Sequence, residues 1–348
     1  MKEVMLAAAV TAERKAELLS VEKPAPMRNE ILIRIRACAL CTWEQRVFAG
    51  EKKVPYPLIG GHEVAGEICE LGEGLDPVLY PIGANAVIRV VKSCHSCYYC
   101  RRGMENLCVE LNTFRMNGPE VYGMGGLAEY IAVDRTAVWQ LNNSLSFEAM
   151  ALTEPLACVM NSLDKGQIRM GDDVLVIGGG IMGQLHVIGA KLSGARVILS
   201  EPDGDRRKVA EKLGCQITVD PNNQNLHKTV MELTSGRGVE VIFNTTAIPA
   251  IAQEAIGLLG YGGKCIMYSS QHPDKPIEVS PNWLHNSEAV LTGAVSPSIA
   301  SFDKAVNLIN KGIVDTSPFV SAVFNYHDIQ KAFEASLQKE NFRVVVKF

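Results

Sequence analysis

No stretch of about 18 consecutive apolar residues occurs in the chain, so the sequence offers no span for a transmembrane helix. Its N-terminus, Met1-Lys2-Glu3-Val4, lacks the basic-then-apolar order of a secretory signal. Neither sign of charge dominates: 34 Lys and Arg against 38 Asp and Glu leave −4, which excludes the general basic field that draws nucleic acid or an anionic membrane surface. Internal repeats and low-complexity segments are missing as well. Together these absences set the expectation of a cytoplasmic protein with no nucleic-acid and no membrane partner. What is present suffices for two globular cores: 348 residues, 47% of them hydrophobic. Ten cysteines complete the inventory. In a reducing compartment their clustering favours a metal over a disulfide framework.

Two textures follow one another. The first part reads as short strands, with alternating β-branched runs at Glu30 to Ala37 and Asn85 to Val91. Turn residues separate these runs at Pro24-Ala25-Pro26, Tyr56-Pro57, Gly72-Glu73-Gly74 and Asn117-Gly118-Pro119. From about Ser146 strands alternate with helices. Helical spacing runs from Phe147 to Leu163, from Ile181 to Ser193 and from Asp205 to Leu213. The strand candidates are Val174 to Ile177, Arg196 to Ser200, Val239 to Asn244, Gly263 to Tyr268 and Val290 to Gly293. That alternation predicts an α/β fold with a doubly wound parallel sheet. Beyond Gly293, helices over Ser301 to Lys311 and His327 to Lys339 precede a last strand, Arg343 to Phe348, and this tail is expected to rejoin the first domain.

Gly178-Gly179-Gly180-Ile181-Met182-Gly183 matches G-x-G-x-x-G directly after a strand and at the start of a helix, which is the context a dinucleotide site requires. Gly178 permits the tight turn, Gly180 a close approach of the pyrophosphate, and Gly183 close helix–strand packing. The helix start, at Ile181 and Met182, turns free N–H groups toward the phosphates. Glu201 closes the next strand, where an acid accepts from both ribose hydroxyls of NAD and repels the 2′-phosphate of NADP. Arg206 and Arg207 follow and would soften that preference.

Cys94, Cys97, Cys100 and Cys108 form C-x2-C-x2-C-x7-C, a spacing with which four thiolates wrap one zinc in a closed, structural shell. Lys92, Arg101 and Arg102 would partly offset its charge. An iron–sulfur cluster or four free thiols are the competing readings. A second set is dispersed: Cys41, His62, Glu63 and Glu154. Scattered ligands suit a catalytic zinc with an open position, although Cys38 competes with Cys41 on sequence alone.

With these motifs assembled, the chain resembles the zinc-containing medium-chain dehydrogenases, in the branch of sorbitol, threonine and other polyol dehydrogenases. The resemblance rests on Ala37-Cys38-Ala39-Leu40-Cys41, Gly61-His62-Glu63-Val64-Ala65-Gly66, the four-cysteine lobe, Gly125-Gly126-Leu127-Ala128-Glu129-Tyr130, Glu154-Pro155-Leu156-Ala157 and the glycine loop. It implies a GroES-like β-rich catalytic domain over 1–150 and 295–348 that carries both zinc sites, a Rossmann domain over 151–294, and a homodimer or homotetramer. It also implies Cys41 rather than Cys38 as ligand with His62 and Glu63, and Glu154 reaching zinc directly or through water. One departure stands out. Where the family has Gly, then Ser or Thr, then Asp or His after the ligand Cys, this chain has Thr42, Trp43 and Glu44. The relay hydroxyl then comes from Thr42 or from a water held by Glu44, unless Glu44 instead orients His62. Gly83-Ala84-Asn85, without the usual Asp after Gly, reads as structural.

The expected activity is hydride transfer between the carbinol carbon of a small polyol or secondary alcohol and NAD, assisted by zinc. Two alternatives stay open: an NAD(P)H-dependent carbonyl reductase in a biosynthetic route, and a disabled homologue that only binds zinc and dinucleotide. Trp43 and Phe114 are the candidate pocket residues, with Trp283 and His285 behind them. The other histidines (His95, His186, His227, His272, His327) are expected on exposed surfaces or helix faces, and Cys69, Cys158, Cys215 and Cys265 as small apolar packing groups.

Overall fold

A computed structural model describes residues 3–110, 115–116, 121–141, 144–271 and 274–348. Phe114, His272, the turn Asn117-Gly118-Pro119 and the side chain of Arg115 lie outside the described residues. Among the described residues no helix is long and apolar enough to cross a membrane. The chain forms two units, Met1–Ala157 with Ser298–Phe348, and Cys158–Pro297.

In the first unit the strands Val320–Asn325, Arg343–Lys347, Glu30–Ala39, Glu63–Leu71, Asn85–Arg89 and Val138–Gln140 lie in that spatial order, and Tyr130–Asp134 also pairs with Glu30–Ala39. Glu30–Ala39 is the hub. Its first half pairs with Tyr130–Asp134 and its second half with Arg343–Lys347, while Glu63–Leu71 runs antiparallel along its length. Ile31, Ile33 and Ile35 point alternately into one core with Ile68, Ile88, Val64 and Val346, as a period of two requires. A hairpin of Val4–Ala12 and Lys15–Glu22 completes this core; Val4–Ala12 is apolar but for Thr11 and Lys15–Glu22 loses its period at Leu18-Leu19, so neither shows a clean alternation. The helix Thr42–Phe48 is pinned by Phe48, whose ring stacks on Phe333 at 4.9 Å.

The second unit is a parallel six-stranded sheet in the order Ile217–Val219, Arg196–Ser200, Asp173–Ile177, Val239–Asn244, Leu259–Met267, Val290–Gly293. In chain order within the sheet this is 3-2-1-4-5-6, the doubly wound arrangement whose order reverses at the first strand. The strand Asp173–Ile177 is buried at every position, so its apolar run shows no alternation. The helical spacing after Phe147 resolves into two helices, Phe147–Ala151 and Thr153–Gly166. Pro155, which cannot donate an N–H, sits in the first turn of the second, where that loss costs nothing.

Candidate active site and cofactor loop

Sheet register assembles the first site. Ala39 stands opposite Glu63, so the chain leaving one strand at Leu40-Cys41 runs beside the chain entering the other at Gly61-His62. On the far side of Glu63 stands Arg89. Val345 pairs antiparallel with Ala39, and continuing that register by two residues sets Arg343 across from Cys41. One end of the sheet thus gathers Arg343, Cys41, His62, Glu63 and Arg89.

The ligand atoms of Cys41, His62 and Glu63 lie within 4.8 Å of one another. Sulfur, imidazole nitrogen and carboxylate oxygen are the donor types zinc accepts, and three protein donors leave a position open. Cys38 is wholly buried and outside this set. Glu154 is also outside it, though buried at 8% exposure. Its charge is felt by both Arg343 and Arg89.

Glu44 comes up from the helix that begins just after Cys41. Its Oε1 accepts from His62 Nδ1 at 2.9 Å and from the Gly61 N–H at 3.0 Å. Gly60 and Gly61 make room: a Cβ on Gly60 would stand 3.0 Å from Glu44 Cγ, and Gly61, at φ +87°, would drive a Cβ to 2.5 Å from Leu127 N. Burial opposes ionisation of Glu44, but the His62 ring and the Gly61 N–H outweigh it and hold its carboxyl below the ordinary value. Burial likewise opposes charge on His62, yet Glu44 and the Cys41 sulfur raise it well above its ordinary value.

Both oxygens of Glu63 are taken by Arg343, Nε to Oε2 at 2.9 Å and Nη2 to Oε1 at 2.6 Å. The pair is dry, 4% and 0% exposed, and Glu63 keeps Arg343 protonated against the cost of burial. The bidentate fork matches the carboxylate geometry. Arg343 is absent from the expected site residues. Its signal is a single Arg opening the apolar run Val344-Val345-Val346.

Among the other expected groups, Thr42 is exposed at the helix start and Trp43 is half-buried. Trp283 packs at the edge of the second unit's core, while His285 is exposed.

The four-cysteine lobe closes on itself. Cys94, Cys97, Cys100 and Cys108 place their sulfurs within 4.8 Å of one another, with Cys108 to Cys94 at 3.5 Å. Backbone N–H groups aim at the sulfurs, Cys97 N at Cys94 Sγ (3.3 Å) and Cys94 N at Cys108 Sγ (3.2 Å). Such donors favour thiolate, and those from Cys100 and Val109 lower the Cys97 thiol to about 6. Four convergent sulfurs with N–H···S support fit a tetrathiolate metal site.

In the second unit the glycine loop follows strand Asp173–Ile177 at the point where strand order reverses. Gly183 is required by contact, since a Cβ there would stand 1.8 Å from Gly178 O. Helix Ile181–Leu192 has Gly180 as its N-cap with no side-chain cap, so its first N–H groups remain for an anion. A Cβ on Gly180 would meet nothing nearer than Arg206 Nη1, 4.0 Å off, which sets a guanidinium beside that helix start. Glu201 is 5% exposed and accepts from Gly179 N at 2.5 Å and Asp203 N at 2.8 Å. A carboxylate so held keeps lone pairs for ribose hydroxyls. Arg207 is engaged elsewhere, with the Glu201 and Pro202 carbonyls and with Asp220. Gln184, not singled out in the sequence, ties the loop down by donating from Nε2 to Gly179 O and Arg206 O, both at 2.9 Å. The donor geometry of this loop fits a dinucleotide.

Family models match both parts of the chain: an alcohol dehydrogenase GroES-like domain over residues 27–143 and a zinc-binding dehydrogenase domain over 182–311. The L-threonine 3-dehydrogenase of Pyrococcus horikoshii is 32% identical over 254 residues, 72% of this chain and 71% of its own. The 2-dehydro-3-deoxy-L-galactonate 5-dehydrogenase of Pseudoalteromonas atlantica is 27% identical over 94% of each chain. The sorbitol dehydrogenase of Bacillus subtilis is 27% identical over 95% of this chain and 92% of its own. Among solved structures, the 2R,3R-butanediol dehydrogenase of Bacillus subtilis superposes with a TM-score of 0.84 at 24% identity, covering 99% of each chain. An alcohol dehydrogenase from Escherichia coli complexed with NADH gives a TM-score of 0.88 at 21% identity, again over 99% of each. By these matches, across both units and most of its length, the chain belongs to the zinc-dependent medium-chain dehydrogenase family, in the polyol dehydrogenase-like branch.

Proposed function

We propose that the chain oxidises a secondary hydroxyl of a small polyol with NAD as hydride acceptor, using a zinc held by Cys41, His62 and an acidic ligand. The observation that carries this reading is the convergence of Cys41, His62 and Glu63 within 4.8 Å at one sheet end. Relatives named as sorbitol and threonine dehydrogenases support the substrate class. When bound, zinc lowers the pKa of the substrate hydroxyl and NAD takes the hydride, so the products are a carbonyl compound, NADH and one proton.

The protein's own groups prepare that chemistry. Glu44 Oε1 holds the proton of His62 on Nδ1, which leaves the Nε2 lone pair for the metal. Glu63, with both oxygens on Arg343, supplies fixed negative charge beside the ligands. Glu154 is the further carboxylate of the site, and its charge acts on Arg343 and Arg89. Thr42, exposed next to Cys41, passes the hydroxyl proton to solvent. In the second unit, the loop Gly178–Gly183 and the start of helix Ile181–Leu192 bind the pyrophosphate, with Arg206 beside it. Glu201 takes the ribose hydroxyls and sets the preference for NAD. The second zinc belongs to Cys94, Cys97, Cys100 and Cys108 and is structural. A cytoplasmic homodimer or homotetramer is part of the same reading.

The test is nicotinamide absorbance with NAD or NADP and a panel of polyols, threonine and simple alcohols. Reduction of NAD faster than NADP with at least one polyol is the expected result. Failure to bind either dinucleotide contradicts it.

A further inference from the structure

Side chains from two elements hold the carbonyls of the glycine loop. Thr245 Oγ1 donates to Ile177 O at 2.8 Å and stands 3.2 Å from Gly178 O. Gln184 takes the next two: its Nε2 donates to Gly179 O and its backbone N–H to Gly180 O, both at 2.9 Å. In a trans peptide the N–H points opposite to the carbonyl, so each held carbonyl fixes the direction of the N–H that follows it. The first two of these N–H groups stay inside the protein, Gly178 donating to Ser200 O and Gly179 to Glu201 Oε2. The Gly180 N–H has no partner among the described residues. Space is open around this residue: a Cβ on Gly180 would meet only Arg206 Nη1, 4.0 Å off.

Glycines flank the Gly179–Gly180 peptide on both sides, so its rotation meets little steric resistance. Without the Gln184 amide, the Gly179 carbonyl would lose its buried partner and be free to turn outward, setting an oxygen against a phosphate. Packing does not account for the amide. Gln184 is wholly buried, and its Oε1 has no partner among the described residues. Leu or Met would fill that space without an orphaned acceptor. Both protons of Nε2 are directed at carbonyls, Gly179 O and Arg206 O, which fixes the orientation of the amide. We propose, resting on the dinucleotide reading of this loop, that Gln184 is a positioning residue for the cofactor: its amide holds the Gly179–Gly180 peptide with the N–H turned toward the pyrophosphate. Gln184 thus acts on the part that NAD and NADP share, whereas Glu201 acts on the ribose that distinguishes them.

The test is fluorescence titration of the zinc-loaded full chain with NADH, and displacement of NADH by NADPH, ADP-ribose and adenosine. Wild type is compared with Gln184→Met and Gln184→Leu, which remove the donors in two different shapes, and thermal melts establish that each variant is folded. NADH, NADPH and ADP-ribose are expected to bind about tenfold more weakly in both variants. Adenosine, which lacks the pyrophosphate, is expected to bind as in wild type, and the preference for NADH over NADPH to stay where it was. Wild-type affinity for ADP-ribose in the folded variants overturns the role of Gln184 and leaves the dinucleotide reading intact. An equal loss for adenosine overturns it too, since that is a general loosening of the crevice, and so does a loss confined to one variant, which is a packing fault. A wild-type chain that binds no NADH overturns the dinucleotide reading, and the inference with it.

Discussion

Glu44 is the residue on which the first site turns. Its carboxylate has no exposed surface to speak of, yet it ends on the His62 ring and on the Gly61 N–H. Removing an oriented partner of a metal-binding histidine weakens metal affinity about 10- to 100-fold. Glu44→Ala is therefore expected to lower zinc affinity at the Cys41–His62 site by that order. Glu44→Asp, which keeps a carboxylate, is expected to restore part of it; competitive chelator titration of each variant reads the difference. Unchanged affinity in Glu44→Ala would remove Glu44 from the site. The residue was legible as one of two roles for an acid three positions after a candidate ligand. Arg343 was not, because a lone arginine reads as surface unless its buried partner is known. Its partner Glu63 is 280 residues away in sequence and meets it only through the pairing of three strands.

Among elements, helix Ile181–Leu192 shows how cofactor loop and core are tied together. Its start faces the glycine loop, and one turn on His186 is wholly buried. There His186 Nδ1 bonds the Met182 carbonyl at 2.7 Å and Nε2 pairs with Ser162 Oγ at 2.9 Å, between the rings of Phe243 and Tyr268. Burial lowers its pKa from 6.5 to about 4. Between those values the unfolded chain binds a proton that the folded one refuses, so stability rises with pH there. The contribution is complete above 6.5 and is lost as pH falls to about 4; its full size is about 3 kcal/mol. Denaturant midpoints across that window are expected to fall on acidification, and less steeply in His186→Gln. Equal slopes would mean that His186 is not the titrating group. Helix-face placement of His186 was readable from spacing, but its burial was not, since this helix is covered on most sides and carries few charges to mark a wet face. The sheet of the second unit was largely readable, because buried parallel strands are short apolar runs bounded by turns. The N-terminal hairpin escaped because the polar, exposed positions Lys15, Glu17, Ser20 and Glu22 lose the period of two at Leu18-Leu19, both half-buried.

At the scale of the molecule, two units come from three chain segments, and the first is closed by the C-terminal strand Arg343–Lys347. That strand both completes the sheet and delivers Arg343 to Glu63, so integrity of the C-terminus and of the site are linked. The motifs declared their chemistry in the sequence since cysteine spacing and glycine loops are local. The position of Glu154 relative to the ligand set was not readable, as it depends on how a helix start meets the sheet end. On the proposed reading, Cys41 and His62 hold a zinc distinct from the one in the cysteine lobe. The most direct measurement is zinc per chain, by elemental analysis of purified wild type and Cys41→Ser alongside NAD reduction. Two zinc ions in wild type, matching the two ligand groups, and one in an inactive Cys41→Ser is the predicted result. Two zinc ions retained with turnover in Cys41→Ser would exclude Cys41 as a zinc ligand.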